Sequence, residues 1–136
     1  MSPTDLLLRL QRATNAHDVE AVVDCFTDDY SNEAPAHPAR GFRGREQVRA
    51  NWTHIFAGVP DVQAGVLRSA TVGNTVWSEW EMSGTRRDGA AHLMRGVIIF
   101  TVPGQRAAAA RFYLEPVDFA DVDTDAAVRA LLEAPR

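Results

Sequence analysis

The chain has 136 residues, 46% of them hydrophobic and 24% charged. That balance excludes a disordered chain and fits one globular domain over residues 1–136. A net charge of −4 argues against nucleic acid as a partner, because phosphate binding wants a concentrated basic face. The single cysteine, Cys25, rules out an internal disulfide. It falls on an apolar helical stripe and reads as a small buried hydrophobe. No apolar run approaches a membrane span and the first residues lack a signal-peptide pattern, so a cytoplasmic protein without membrane contact is expected.

Ser2-Pro3-Thr4-Asp5 opens a helix, with Ser2 as cap and Asp5 as its capping-box partner. Leu6, Leu10 and Ala13 follow at helical spacing. Asp18 caps a second helix with the stripe Val19, Val22, Val23 and Phe26, ended by Thr27-Asp28-Asp29. Tyr30–Ala34 suits a short strand, and the stretch from Pro35 to Gly44 a loop. Arg40, Arg43, Arg45 and Arg49 read as a solvated loop and helix start. A third helix is expected from about Arg45 to Phe56, with Val48, Trp52, Ile55 and Phe56 on one face.

The period then changes to two. Strands are expected over Val62–Ala70 and Thr75–Thr85, with a turn at Arg87-Asp88-Gly89. A long apolar pair follows, from Ala90 to Val102 and from Arg106 to Pro116. Val128, Leu131 and Leu132 suggest a closing helix between Phe119 and Ala134. Helices beside an antiparallel meander make an α+β domain. A strongly curved, mostly antiparallel sheet wrapped around N-terminal helices forms a cone with a cavity at its open end.

Several short motifs occur in a telling order: Asn15-Ala16-His17-Asp18-Val19-Glu20, Phe26-Thr27-Asp28-Asp29, Gly44-Arg45-Glu46-Gln47-Val48, Val59-Pro60-Asp61, Trp80 with Gly84-Thr85, and Arg111-Phe112-Tyr113. Together they resemble the SnoaL-like, ketosteroid isomerase-like branch of the nuclear transport factor 2-like (cystatin-like) superfamily. The resemblance implies a cone-shaped barrel with a deep pocket, and usually a homodimer. It implies no single activity, since the superfamily holds isomerases, epoxide hydrolases, cyclases and inert binding modules.

Matched residue by residue, the resemblance removes the family's acids. The isomerase base position falls on Ala34, its tyrosine on Leu10 and its acid on Val97. The epoxide hydrolase arginine falls on Arg95, but its two acids fall on Val97 and Phe112. The cyclase aspartate also falls on Phe112. Without a carboxylate to activate water, epoxide opening has no evident base.

Strand alternation divides the faces. Val76, Ser78, Trp80 and Met82 are set inward on one strand, Leu93, Arg95, Val97 and Ile99 on the next, and Ala110, Phe112 and Leu114 on the last. The inner wall is then apolar, with Arg95 as its one charge and Ser78 as its hydroxyl. Arg95, Trp52, Phe56, Ser78, Trp80, Val97 and Phe112 are the candidate ligand-binding residues. The outer face, with Trp77, Ile98, Phe100 and Tyr113, suits a homodimer.

Arg95 reads either as the anchor of an acidic or oxyanion group or as half of a structural ion pair. Arg95, His37 and Glu33 are the candidate catalytic residues, the last two as bases. The histidines are too scattered for a metal site, and no cofactor is expected. Three functions stay open: a small-molecule-binding domain for a hydrophobic or acidic ligand, an isomerase, cyclase or hydrolase with a non-standard site, and a dimerising structural domain with a filled cone.

Overall fold

A computed structural model describes residues 2–133. The elements run α1 (Asp5–Asn15), α2 (Val19–Val23), β1 (Phe26–Glu33), β2 (Phe42–Arg43), α3 (Arg45–Gly58), β3 (Gln63–Val72), β4 (Thr75–Thr85), β5 (Ala91–Thr101), β6 (Ala107–Pro116) and α4 (Thr124–Glu133). The strands form one sheet in the order β2-β1-β6-β5-β4-β3. All neighbours are antiparallel except β1 and β6, which run parallel. The result is the expected α+β cone, a curved, mostly antiparallel sheet wrapped around the N-terminal helices.

The motif Asn15-Ala16-His17-Asp18 works as a joint between helices and sheet. Asn15 reaches the edge strand β3 in both directions, donating to the Ala64 carbonyl at 3.0 Å and accepting from the Ala64 N–H at 2.7 Å. Gln11, one turn earlier, accepts from the Val66 N–H. Helix side chains thereby satisfy an edge that would otherwise offer itself to another strand. His17 turns the chain with a positive φ of 55°, and its Nε2 bonds the Val62 carbonyl at 2.8 Å. Asp18 then caps α2 through the Ala21 N–H. At the start of α1 the expected box is half made: Asp5 accepts from the Ser2 N–H, while Thr4 takes the cap position.

Two boundaries differ from the sequence reading. The second helix stops at Val23, and Phe26 opens β1 instead of completing a helical stripe. The cause is tertiary: Ala107 of β6 donates to the Cys25 carbonyl, drawing residues 26–33 into the sheet. The loop before α3 holds a short 3-10 turn, Pro38–Arg40, and the small strand β2.

Gly96 permits the close approach of β5 to β6. Its φ is +153°, and a Cβ there would lie 2.0 Å from the Tyr113 carbonyl oxygen on β6. Only glycine lets the two backbones approach so closely. α4 buries none of its residues, so the expected closing helix exists without covering its own Val128, Leu131 and Leu132. Ala134, at its expected end, lies outside the described residues.

Candidate functional site

Pair register fixes the faces of the sheet. Val76 lies opposite Phe100, Ser78 opposite Ile98, Trp80 opposite Gly96 and Met82 opposite Met94. On the far side, Phe100 meets Ala110, Ile98 meets Phe112 and Gly96 meets Leu114. Opposed residues share a face. The inner wall of β5 is therefore Met94, Gly96, Ile98 and Phe100, which inverts the sequence assignment for that strand. The assignments for β4 and β6 agree with the register.

This inversion moves Arg95 outside. Its Nε donates to Glu81 Oε2 at 2.8 Å, and its side chain is 54% exposed. Val97 and Ile99 go with it. A strand rises into its neighbours with period two, so a one-residue slip exchanges both whole faces. Ile98 and Phe100, at 5% and 0% exposure, are core residues and cannot form an outer interface.

The remaining candidates lie in different places. Trp52 and Phe112 line the open end of the cone. Ser78 and Trp80 are packed below it: the Trp80 indole N–H donates to Ser78 Oγ, and Ser78 donates to the Ile98 carbonyl. Phe56 packs between Trp52 and His17, with ring centroids 5.4 Å and 5.3 Å away, and does not line the cavity. Glu33 points out, 3.5 Å from Arg111, because its β1 position pairs with the outward Arg111.

The cavity at the open end measures about 280 Å³. Phe26, Tyr30 and Asn32 of β1 form one wall. Val48, Asn51, Trp52 and Ile55 of α3 form the roof, one helical turn after another. Met82, Met94, Phe112 and Leu114 supply the sheet side, and Ala34, His37 and Arg40 close the rim with Glu115.

Polar groups gather on the β1 side and the rim, with Asn51 on the roof. Tyr30 is 1% exposed, and burial pushes its phenol well above the ordinary tyrosine range. It stays a neutral donor, giving its proton to Asn32 Oδ1 at 2.7 Å. At the rim, His37 Nε2 lies 2.8 Å from Glu115 Oε1. A backbone turn holds the histidine there: its N–H donates to the Ala34 carbonyl, and its carbonyl accepts from the Arg40 N–H. Asn32, Asn51, Arg40 and Glu115 were not singled out from sequence. The inward alternation of Tyr30 and Asn32 on β1 was a usable signal for the first.

Cys25 is buried, and its thiol is pushed up to about 11, chiefly by desolvation. An apolar setting of that kind makes a thiol inert. Among the described residues no group of histidine, cysteine and carboxylate side chains could hold a metal ion, and no helix is long and apolar enough to cross a membrane.

The sequence model of the SnoaL-like domain matches residues 7–110. No curated protein matches the chain in sequence. Among solved structures, the chain resembles SalBIII, an epoxide hydrolase/cyclase-like enzyme of pyran ring formation in the polyether salinomycin. The TM-score is 0.71 at 18% identity, over 85% of this chain and 90% of that one. It resembles a protein of ketosteroid isomerase-like fold from Catenulispora acidiphila in complex with trimethylamine, with a TM-score of 0.68 at 17% identity, over 83% and 87%. A loop-truncation variant of IdmH gives 0.69 at 21% identity, over 96% and 99%. At these identities the likeness shows a common fold.

Proposed function

The chain belongs to the SnoaL-like domain family, and on that footing we propose that it binds a small, largely apolar molecule in the open end of its cone. The observation that carries this reading is the cavity of about 280 Å³, walled by Phe26, Ile55, Met94, Phe112 and Leu114 with a few polar groups on β1, the rim and α3. That size approaches the lower end of ordinary ligand sites, about 300 Å³, and suits one or two rings. The trimethylamine complex of the Catenulispora protein and the enzymatic role of SalBIII lend support to a small-molecule site. An acidic head group held by Arg95 is no part of the reading, because that side chain lies on the other face of the sheet.

Thermal denaturation with a panel of small aromatic alcohols and ethers tests it. A ligand at about 100 times its dissociation constant should stabilise the fold by about 2.7 kcal/mol. Met94→Trp, which fills the cavity, should remove that effect while leaving the circular dichroism spectrum intact. Undiminished stabilisation in the variant would place binding elsewhere.

A second reading, an enzyme acting on the bound molecule, is favoured by the His37–Glu115 pair at the rim. We also propose a homodimer through the outer face of the sheet. Trp77 and Tyr113 are 51% and 40% exposed there, beside Val97 and Ile99. Light scattering should report about twice the chain mass of 14.9 kDa, and Trp77→Glu should shift it toward one. A monomeric wild type would overturn this association.

A further inference from the structure

Four titratable side chains line the open end: Tyr30, His37, Arg40 and Glu115. Tyr30 is held neutral by burial and spends its proton on Asn32. Arg40 carries a fixed charge and cannot accept a proton. Glu115 is taken up by His37, whose Nε2 stands 2.8 Å from its Oε1. A carboxylate at that distance selects the tautomer with hydrogen on Nε2 and leaves the lone pair on Nδ1. Nδ1 has no protein partner among the described residues.

We propose that His37, oriented by Glu115, is a proton acceptor for a ligand made of an apolar ring bearing a weakly acidic hydroxyl, a phenol or an enol. The step is a simple transfer. The ligand O–H bond breaks, its proton joins Nδ1, and the bonding electron pair stays on the oxygen. The imidazolium so formed lies against the Glu115 carboxylate, which offsets its charge. No further reactant is needed. Asn32 lines the same cavity, and its amide nitrogen donates to no protein group among the described residues. It is free to donate to a ligand oxygen, and Arg40 adds positive charge at the rim. Phe112 and Leu114 supply the apolar bed for the ring.

The inference rests on the binding reading, so its test uses two probes. 4-Nitroanisole has no hydroxyl and reports binding alone, through quenching of tryptophan fluorescence. 4-Nitrophenol reports binding and ionisation, because the phenolate absorbs at longer wavelength. At a pH where free 4-nitrophenol is mostly protonated, wild type should raise the ratio of phenolate to phenol about tenfold, a fall of about one unit in the pKa of the bound probe. His37→Gln should return that ratio to its solution value while still binding 4-nitroanisole. Glu115→Gln, which keeps a hydrogen-bonding group without the charge, should give an intermediate ratio and so marks Glu115 as a positioning residue.

If wild type binds 4-nitroanisole but leaves 4-nitrophenol unionised, the proton acceptor falls and the pocket stands. Ionisation that survives His37→Gln also overturns it. Failure of both probes to bind wild type overturns the pocket and the acceptor together. Should His37→Gln lose its fold, the intermediate ratio in Glu115→Gln decides: a ratio unchanged from wild type overturns the proposal.

Discussion

The two ends of the cone are built from the same strands and the same inward face, yet one is solid and the other hollow. At the closed end the row Val76, Phe100 and Ala110 is 0%, 0% and 2% exposed. Leu6 and Leu10 of α1 and Val22 of α2 belong to the same packed core. At the open end the inward residues of β6, Phe112 and Leu114, are only partly buried, and α3 with the rim loop encloses the cavity of about 280 Å³ beside them. Both ends present apolar strand residues, but the open end also carries the polar groups of β1, α3 and the rim. The filling differs with the helices that supply it: α1 and α2 give Leu6, Leu10 and Val22 to the packed core, and α3 roofs the cavity.

The contrast can be broken most sharply at Phe100. Phe100→Ala should cost about 3–5 kcal/mol in urea unfolding, because a packed interior keeps the void that a lost ring leaves. Phe112→Ala, on the wall of an existing cavity, should cost less, about 1–2 kcal/mol, since part of its ring already faces open space. It should instead weaken ligand binding. Equal costs at the two sites would mean that the open end is as tightly packed as the closed one.

The fold was legible where local chemistry and global packing agree. Asp18 as a cap, the change of period after Val62 and the turn at Arg87-Asp88-Gly89 all appear where the residues place them. The start of β1 was hidden, because Phe26 fits a helical stripe and only pairing with β6 overrides that fit. β5 was the instructive failure. Leu93, Val97 and Ile99 on one face and Met94, Ile98 and Phe100 on the other are equally apolar, so alternation alone cannot choose between them. Two signals could have chosen. Pairing of Thr85 with Ala91 across the turn puts Trp80 opposite Gly96 and Met82 opposite Met94. The cost of a buried charge, which set Glu79, Glu81 and Arg111 outside, applies with the same force to Arg95.

The candidate site was less legible because its polar members come together only in three dimensions. His37 and Glu115 are far apart in the chain and meet because β1 runs parallel to β6, carrying the loop after β1 toward the end of β6. No sequence period announces such a pair. Trp52 was visible from the stripe of α3, and Phe112 from the last strand, since both are apolar residues on a face with helical or strand spacing.

Arg95 gives the smallest expected effect and the cleanest check on the two faces. Opposite it stand Glu81 on β4 and Glu115 on β6. Glu115, near the end of its strand, is taken by His37 at the rim of the cavity, while the Arg95 guanidinium bonds Glu81 in the open. Exposed pairs of this kind contribute about 0.2–1 kcal/mol. Arg95→Met should therefore lower stability by no more than about 1 kcal/mol, and less at high salt, where the pair is screened. Ligand binding in the cone should not change, because the altered side chain is on the opposite side of the sheet. A large loss of binding with an intact fold would put the guanidinium back among the groups that serve the cavity, and the register drawn between β4 and β5 would have to shift by one residue.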